Sequence, residues 1–473
     1  MNPLEISQSE FLRLAEHITR LAADYLEAID ARPIAPATNG AETLQLFDTP
    51  LPEWGSGHEA LLALNDLLRF SRVQNGRFFG YVLGSGEPVA ALADLLASVL
   101  NQNVTAWRSG PAAVTIEQTV VGWLAEAIGC PQFRGHLTGG GSSANLMGLA
   151  MAREAVAPSN ETRSSACAAI YASQETHMSI PKSVALLGIG RDNLRLIPTN
   201  AAYGMIPEEL EACILRDKKA GKTPVAVVVS AGTVSTGSID PLRAITEIAR
   251  RHGAWLHVDG AYGALAAIAH REKFDGLELA DSISLDPHKW LYQPLDCGCL
   301  LYRSSEAAQK AFAHTGEYAR SLSQDPVEGF CFFEESMELS RRFRALKLWL
   351  SLRYHGMSAF RESIANDIKH AHRLAGMIER EPKLELLAPV ELSAVCFRNR
   401  GSGPMTEDEL NRFNAAVLKS VVQRGRVYLS NAMLRGKFAL RACIVNHRTR
   451  ESDLESVISE VLAVAEEVRK QHP

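Results

Sequence analysis

The chain has 473 residues, a formal net charge of −5 and a hydrophobic content of 46%. This length suggests roughly two to three domains or subdomains, and the composition is that of an ordinary globular protein. A mildly acidic chain has no overall field that attracts nucleic acid or anionic lipid. No apolar run approaches the ~20 residues that cross a bilayer. Neither a nucleic-acid nor a membrane partner is therefore expected.

The first residues and the cysteines indicate a cytoplasmic protein. The opening MNPLEISQSEFLRLAEHITRL lacks the basic start and apolar centre of a secretory signal. The eight cysteines are scattered, and the closest pair is Cys297 and Cys299. No C-x-x-C spacing of the kind that builds zinc sites occurs, so we expect buried apolar thiols and no metal.

Residues 1–75 are predicted to form helices around an irregular segment. Ser7 and Glu10 have capping-box spacing, and apolar residues follow at helical intervals. A Pro-, Gly- and Thr-rich loop comes next. This segment has no self-sufficient core, so we expect it to pack on the main domain or on a second subunit.

Residues 76–345 are predicted to form a large α/β domain. Helical stretches come first, and short β-rich apolar runs then alternate with helical stretches. The runs are ACAAIYA, NLRLI, VAVVVSAG, AWLHVDG, DSISLD and GCLLY. Continuous apolar runs are typical of strands buried on both faces of a parallel sheet. Doubly wound folds bind ligands at the carboxyl ends of their strands, so functional residues should follow these runs. Residues 346–473 are predicted to form a smaller α+β domain.

Lys289 and Asp259 each follow a predicted buried strand, in SISLDPHKW and AWLHVDGAYG. Taken singly, the lysine is an ordinary surface charge and the aspartate a turn or capping residue. Together they suit pyridoxal phosphate (PLP), because a lysine binds its aldehyde as a Schiff base and a carboxylate keeps its pyridine nitrogen protonated. The pair therefore indicates a PLP site.

Two further segments fit the same site. In LTGGGSSANL, Gly139–Gly141 followed by Ser142 and Ser143 open a helix, where N–H groups and the helix dipole favour an anion. The alternative is a plain Gly-rich turn, and the pattern matches neither the dinucleotide nor the Walker motif. His177, after the strand ACAAIYA, is either a residue stacked on the cofactor ring or a surface histidine.

These residues resemble the group II PLP-dependent decarboxylases, the family of aromatic-L-amino-acid, glutamate and histidine decarboxylases. The blocks FFGYV, PAAVTIE, TGGGSSANL, SQETHMS, GTVSTGSID, HVDGAYG, DPHKW, RRFRALKLW and FALRACIVN match in order, from about residue 10 to 465. The chain is most similar to the aromatic branch. The resemblance implies the PLP-dependent transferase fold type I (aspartate aminotransferase-like), a homodimer with active sites at its interface, and decarboxylation of an L-amino acid to the amine and CO2.

The resemblance also implies roles for single residues. Lys289 would hold PLP covalently, Asp259 would pair with the pyridine nitrogen, and His177 would stack on the ring. The other cofactor contacts would come from Ala261 on the opposite ring face, Thr233 at the phenolic oxygen, and Gly141, Ser142 and His288 at the phosphate. Substrate contacts would come from Arg441 and Tyr81, and a proton for Cα from Tyr318 in a lid spanning 314–327.

Several alternatives remain open at this stage. The substrate could be glutamate or histidine, or the enzyme could form an aldehyde by oxidative decarboxylation and deamination. An aldolase or transaminase reaction, and a nucleotide-binding or non-catalytic α/β scaffold, are the other possibilities. Asp286 stands where several animal relatives have Asn. Because its carboxylate would repel a phosphate, we expect it to point away from the phosphate-binding residues.

Overall fold

The N-terminal part of the chain is helical. The computed structural model describes residues 2–161, 167–314 and 325–471. The first helices are α1 (Gln8–Glu27), α2 (Gly40–Phe47) and α3 (Ala63–Phe70). Ser7 caps α1 by accepting a hydrogen bond from the Glu10 N–H at 3.2 Å, whereas the Glu10 carboxylate binds Arg13 and His58. No residue of α1 is buried, so this helix adds almost nothing to a core within the chain.

A seven-stranded mixed sheet forms the centre of the fold. Its strands are β1 (Arg134–Thr138), β2 (Ala168–Ser173), β3 (Leu194–Ile197), β4 (Thr223–Ser230), β5 (Trp255–Asp259), β6 (Ser282–Leu285) and β7 (Gly298–Tyr302). Their order is β1-β7-β6-β5-β4-β2-β3. β7 runs antiparallel to both neighbours, so the prediction of a parallel sheet is wrong for this strand. A fully buried strand has the same apolar pattern in either direction.

Helices cover both faces of this sheet. They are α4 (Pro88–Leu100), α5 (Pro111–Ala127), α6 (Gly141–Val156), α7 (Ser179–Leu186), α8 (Pro207–Lys219), α9 (Leu242–His252), α10 (Pro287–Trp290) and α11 (Ser305–Phe312). Val227 and Val229 of β4 join a core with α5, α8 and α9. Ala226 and Val228, on the opposite face, join a core with α6, α7 and α11. The predicted α/β fold is confirmed.

The C-terminal part builds a second, smaller core on an antiparallel sheet of order β10-β11-β9-β8. Its elements are α12 (Ala345–Arg380), β8 (Leu384–Leu386), β9 (Ala394–Asn399), α13 (Glu407–Arg424), β10 (Ser430–Leu434), β11 (Lys437–Cys443) and α14 (Glu451–Gln471). Within the described ranges, no helix has the length and apolarity needed to span a membrane.

Helix α12 belongs to both cores. It bends at Gly356, whose φ of +77° suits a residue without a Cβ. Ile364 and Ile368 pack in the large core, and Leu374 and Ile378 in the small one. The domain boundaries at residues 75 and 345 stay a prediction. The helix that begins at the second boundary packs its first half in the large core and its second half in the small one.

Asp367 links the two cores at the middle of α12. Its Oδ2 accepts hydrogen bonds from the Tyr292 hydroxyl at 2.8 Å and from the Asn446 N–H at 3.0 Å. Tyr292 follows α10 in the large domain, and Asn446 follows β11 in the small one. One buried carboxyl thus joins the loop after Lys289, α12 and the C-terminal sheet.

Candidate active site

A cavity of about 270 Å³ lies at the carboxyl edge of the large sheet. The loops that follow β1, β4, β5 and β6 meet there, as expected for a doubly wound sheet. Eight of the residues predicted from the sequence line it: Gly141, Ser142, His177, Thr233, Asp259, Ala261, His288 and Lys289. Segments far apart in the chain therefore converge on one site.

Lys289 reaches the cavity from α10, directly after β6. Its Nζ lies 2.9 Å from Oδ2 of Asp286, a side chain that is only 4% exposed. The same carboxylate lies 3.6 Å from Nε2 of His288, and a Cβ on Gly141 would meet its Oδ2 at 3.0 Å. The expectation that Asp286 points away from the predicted phosphate-binding residues is thus wrong. The amine one helical turn later attracts the carboxylate into the cavity.

Asp259 ends β5 and is held by three donors. Its Oδ2 accepts a hydrogen bond from the Asn145 amide at 3.0 Å. Its Oδ1 accepts from the Ser284 hydroxyl and from the Ala261 N–H, each at 3.3 Å. With these contacts the carboxylate has a defined orientation at the cavity wall, which a residue in a flexible turn would lack.

His177 lies between β2 and α7, and its protonation is set by its surroundings. The Nδ1 atom accepts a hydrogen bond from the Ser179 N–H at 3.2 Å, so the proton of the neutral ring sits on Nε2. Burial lowers the pKa of His177, and the Asp259 carboxylate partly opposes this effect. A neutral ring with a free N–H is therefore favoured at neutral pH.

The glycine run places the start of α6 against the cavity. Gly140 has a φ of +134°, a conformation that L side chains rarely adopt. A Cβ on Gly141 would lie 2.6 Å from the Cβ of Ala261, so a larger residue would overlap it. His288 closes this end of the cavity, with Nδ1 at 2.7 Å from the Cys297 carbonyl oxygen. Close packing thus requires glycine at position 141, a constraint that an ordinary Gly-rich turn would not impose.

Thr233 and Arg441 lie on the side of the cavity nearest the C-terminal domain. The Thr233 Oγ1 accepts a hydrogen bond from the Ser238 N–H at 3.2 Å. Arg441, on β11, does not line the cavity. Its guanidinium donates to the carbonyl oxygen of Val234, a residue that does line the cavity. Arg441 therefore lies one layer behind the cavity wall.

Tyr81, predicted to contact the substrate, is not among the residues that line this cavity. Tyr81 is 50% exposed, and its hydroxyl lies 3.1 Å from that of Tyr428. Its segment continues to Gly84, whose N–H donates to the His288 carbonyl oxygen at 3.0 Å, so Tyr81 precedes a stretch that packs on the lysine loop. Tyr318 lies outside the described residues.

The sequence reasoning missed several residues of the site. The lining also includes Ser230, Val234, Tyr262, Asp286, Leu295 and Asn145. Asn145 follows Gly141 by one helical turn, so the helical periodicity of α6 places both on the same face and could have indicated it. Lys289 follows Asp286 by three residues, so the sequence also contained the spacing of an ion pair within one helical turn.

The residues of the cavity fit PLP. Lys289 provides an amine for the aldehyde, and Asp259 a carboxylate for the pyridine nitrogen. Gly139, Gly140 and Gly141 line the cavity at the start of α6, where the first N–H groups of a helix have no partner within the helix and favour a phosphate. Asp286 lies at the same end, where its ion pair with the Lys289 amine offsets the negative charge that would otherwise repel a phosphate.

Comparison with known proteins agrees with this chemistry. Residues 66–400 match the model of the "Pyridoxal-dependent decarboxylase conserved domain". The chain is 33% identical to an aromatic-L-amino-acid decarboxylase of Bacillus atrophaeus, over 99% of this chain and 98% of that protein. It is 31% identical to a phenylacetaldehyde synthase of Petunia hybrida, over 93% and 91% respectively. The crystal structure of Oryza sativa TDC with PLP and tryptamine superposes with a TM-score of 0.93, at 27% identity and 99% coverage of both chains.

The chain belongs to the group II PLP-dependent decarboxylase family. It is a carboxy-lyase that uses pyridoxal 5′-phosphate to decarboxylate an amino acid. The predicted family, fold, cofactor and enzyme class are confirmed, and the nucleotide-binding or non-catalytic scaffold is excluded.

Proposed function

We propose that the protein converts an aromatic L-amino acid to its amine and CO2, with PLP held by Lys289. The proposal is carried by one observation, the presence of the Lys289 amine and the Asp259 carboxylate in the wall of one cavity. Support for an aromatic substrate comes from the order of the sequence motifs and from the similarity to an aromatic-L-amino-acid decarboxylase.

The residues of the cavity divide the work between them. When bound, PLP supplies an electron sink for the pair left on Cα after CO2 leaves. Asp259 keeps the pyridine nitrogen charged, and His177 and the small side chain of Ala261 hold the two faces of the ring. Gly141, Ser142 and His288, which line the same cavity, would bind the phosphate, and Thr233 would contact the phenolic oxygen.

The substrate itself requires further groups. Arg441 stabilises the wall beside Val234 and favours binding of the α-carboxylate, and Tyr81 adds an aromatic contact from the segment that packs on the lysine loop. Tyr318 delivers a proton to Cα, which completes the amine. As the resemblance implies, closure of segment 314–327, of which residues 315–324 lie outside the described part of the chain, would exclude water during this step.

The substrate is tested with a panel of aromatic, acidic and basic L-amino acids. Released CO2, amine and aldehyde are measured for each, and an aromatic amino acid is expected to give the highest kcat/KM with equal amounts of CO2 and amine. Glutamate or histidine as the best substrate would assign the enzyme to another branch. Aldehyde and ammonia as main products would make it an oxidative decarboxylase-deaminase, the activity class suggested by its similarity to phenylacetaldehyde synthase.

The variant Tyr318→Phe is expected to lower the rate of amine formation by about 10²-fold, the lower end of the usual range for losing a general acid. With Cα protonation slowed, oxygen competes for the carbanion, and the aldehyde fraction should rise. The ratio of aldehyde to amine is measured in air and under nitrogen. Tyr354→Phe, at a side chain that is 71% exposed, is the control and should match the wild type. An unchanged ratio and rate would contradict the role given to Tyr318.

We also propose that the protein is a homodimer. α4 directs Ala93 and Ala97 toward the core. Its Leu92, Leu96 and Val99 are each at least half exposed and form an apolar stripe at helical spacing. The unburied α1 adds further apolar side chains. Because the segment before α4 packs on the lysine loop, a second subunit on this stripe would lie close to the cavity.

Light scattering tests the dimer. The wild type is expected to have the mass of two chains, and Leu96→Lys should shift it toward one chain, because a charge in an apolar interface is left unpaired. Leu215→Lys on α8, at a similarly exposed leucine, should leave the mass unchanged. A wild type with the mass of one chain at micromolar concentration would rule out the dimer.

A further inference from the structure

A chain of buried hydrogen bonds extends from Asp259 into the sheet. The Asn145 Nδ2 lies 3.0 Å from Asp259 Oδ2, and Asn145 Oδ1 lies 2.9 Å from His257 Nε2. His257 Nδ1 is 2.8 Å from Ser282 Oγ, which is 2.8 Å from Trp255 Nε1. Asn145, His257 and Ser282 are at most 1% exposed. Only Asn145 and Asp259 touch the cavity, so the rest of the chain acts through them.

The direction of each hydrogen bond in this chain is fixed by the groups at the two ends of the chain. The indole N–H of Trp255 can only donate and the Asp259 carboxylate can only accept. Ser282 therefore accepts from Trp255, and because the Asn145 amide nitrogen faces Asp259, the hydrogen of Ser282 is directed to His257 Nδ1. The His257 proton therefore sits on Nε2 and is donated to Asn145 Oδ1. This leaves the Asn145 amide nitrogen, a donor, facing the Asp259 carboxylate. Burial lowers the pKa of His257 to about 4, so the ring stays neutral.

A branch of the same chain reaches His177. The Asn145 Nδ2 also lies 2.9 Å from Ser179 Oγ, which is 2.9 Å from His177 Nδ1. An amide nitrogen has two hydrogens, so Asn145 can serve Asp259 and Ser179 at once. The Asn145 side chain thus contacts both Asp259 and Ser179, the hydrogen-bond partner of His177.

The fold makes room for this arrangement on α6. A Cβ on Gly148 would lie 2.5 Å from the His257 Cε1 atom, so only glycine admits the imidazole at this depth. Asn145 and Gly148 are three residues apart and share one helical face. The helix that begins at the predicted phosphate end therefore also carries the contact to Asp259.

We propose that four polar residues position Asp259 and His177 as one unit: Asn145, Ser179, His257 and Ser282. The inference rests on the roles proposed above for Asp259 and His177. The tautomer of His257 decides which end of the Asn145 amide faces Asp259. With the other tautomer the amide turns, its oxygen meets the carboxylate, and the carboxylate loses its position at the pyridine nitrogen.

Ser282→Ala tests the far end of this chain without touching the cavity. Without the hydroxyl, His257 can place its proton on Nδ1, and Asn145 is free to turn. The dissociation constant for PLP, titrated into the cofactor-free protein by fluorescence, is expected to rise on the order of tenfold. Ser238→Ala is the matched control, because Ser238 Oγ is buried but has no hydrogen-bond partner among the described residues. It should bind PLP like the wild type, and the melting temperatures of both cofactor-free variants are compared.

Asn145→Asp supplies a second, independent readout. This change keeps the shape but places two carboxyl groups side by side, so PLP affinity at neutral pH should fall more than in Ser282→Ala. At lower pH the pair shares one proton, which restores a donor toward Asp259. The ratio of variant to wild-type affinity should therefore rise as the pH falls, which a purely structural defect would not cause.

Three results decide the matter. Weaker binding in Ser282→Ala than in Ser238→Ala, with the pH effect in Asn145→Asp, supports the positioning role. Equal affinities for the two serine variants, beside a wild type that binds PLP and releases CO2, overturn it and leave the proposed function standing. A wild type that neither binds PLP nor releases CO2 overturns both.

Discussion

Lys289→Ala is expected to lower kcat by about 10³-fold or more, because the enzyme loses both covalent capture of PLP and its alignment with the substrate. Among the described residues that line the cavity, Lys289 is the single lysine, so no neighbouring lysine there can form the Schiff base in its place. The kcat for CO2 release is measured at saturating PLP. Borohydride reduction followed by mass spectrometry of the peptides should place PLP on Lys289 in the wild type and on no lysine of the variant.

Lys289→Arg separates charge from covalent chemistry. Arginine retains a cation for the ion pair with Asp286 but cannot form the Schiff base, so we expect the same loss of kcat with a fold as stable as the wild type. Lys310→Ala, at a surface lysine paired with Glu306, is the control and should leave kcat unchanged. A wild-type rate in either Lys289 variant would refute the role of this residue.

Asp259→Asn is expected to lower kcat by about 10²- to 10³-fold, the range found when one preorganised electrostatic partner is removed. The amide preserves the shape and can still bind Ser284, but it cannot keep the pyridine nitrogen protonated. The absorbance spectrum of the bound cofactor should change together with kcat. Because Asn145 donates to Oδ2, the new amide group would also place two donors against each other unless it turns.

Two controls delimit this prediction. Asp259→Glu keeps the charge but displaces it, so its kcat should lie between those of the wild type and Asp259→Asn. Asp275→Asn removes an exposed carboxylate that pairs with Arg243 and should leave kcat and the cofactor spectrum unchanged. If Asp259→Asn retained both the wild-type kcat and the wild-type cofactor spectrum, the ring nitrogen would need another partner.

Most strands could be predicted because burial on both faces produces continuous apolar runs. β1 was missed, since its sequence RGHLT begins with an exposed arginine and a half-buried glycine and includes a histidine. Its identity as a strand comes from pairing with β7, a contact between distant parts of the chain. The direction of β7 also could not be read from its own residues. Local pattern predicts where a strand lies, and tertiary pairing decides its neighbours and its direction.

The site shows the same division. Lys289 and Asp259 stood out because each follows a buried strand, and Gly141 because it belongs to a glycine run. Positions that depend on side-chain partners were not predictable in this way. Asp286 turns into the cavity for its ion pair, and Arg441 is held behind the wall by a backbone carbonyl.

The shared helix α12 has a mechanical consequence. It is continuous between Ile368 and Leu374, where it leaves one core and enters the other, and its bend at Gly356 lies wholly on the large-core side. Asp367 ties both lobes to this rod at the crossing point. A rod anchored at both ends resists the rigid-body rotation by which hinged enzymes clamp their ligands. We therefore expect ligands to enter and leave the cavity through movements of loops and side chains, with little rotation of one domain against the other.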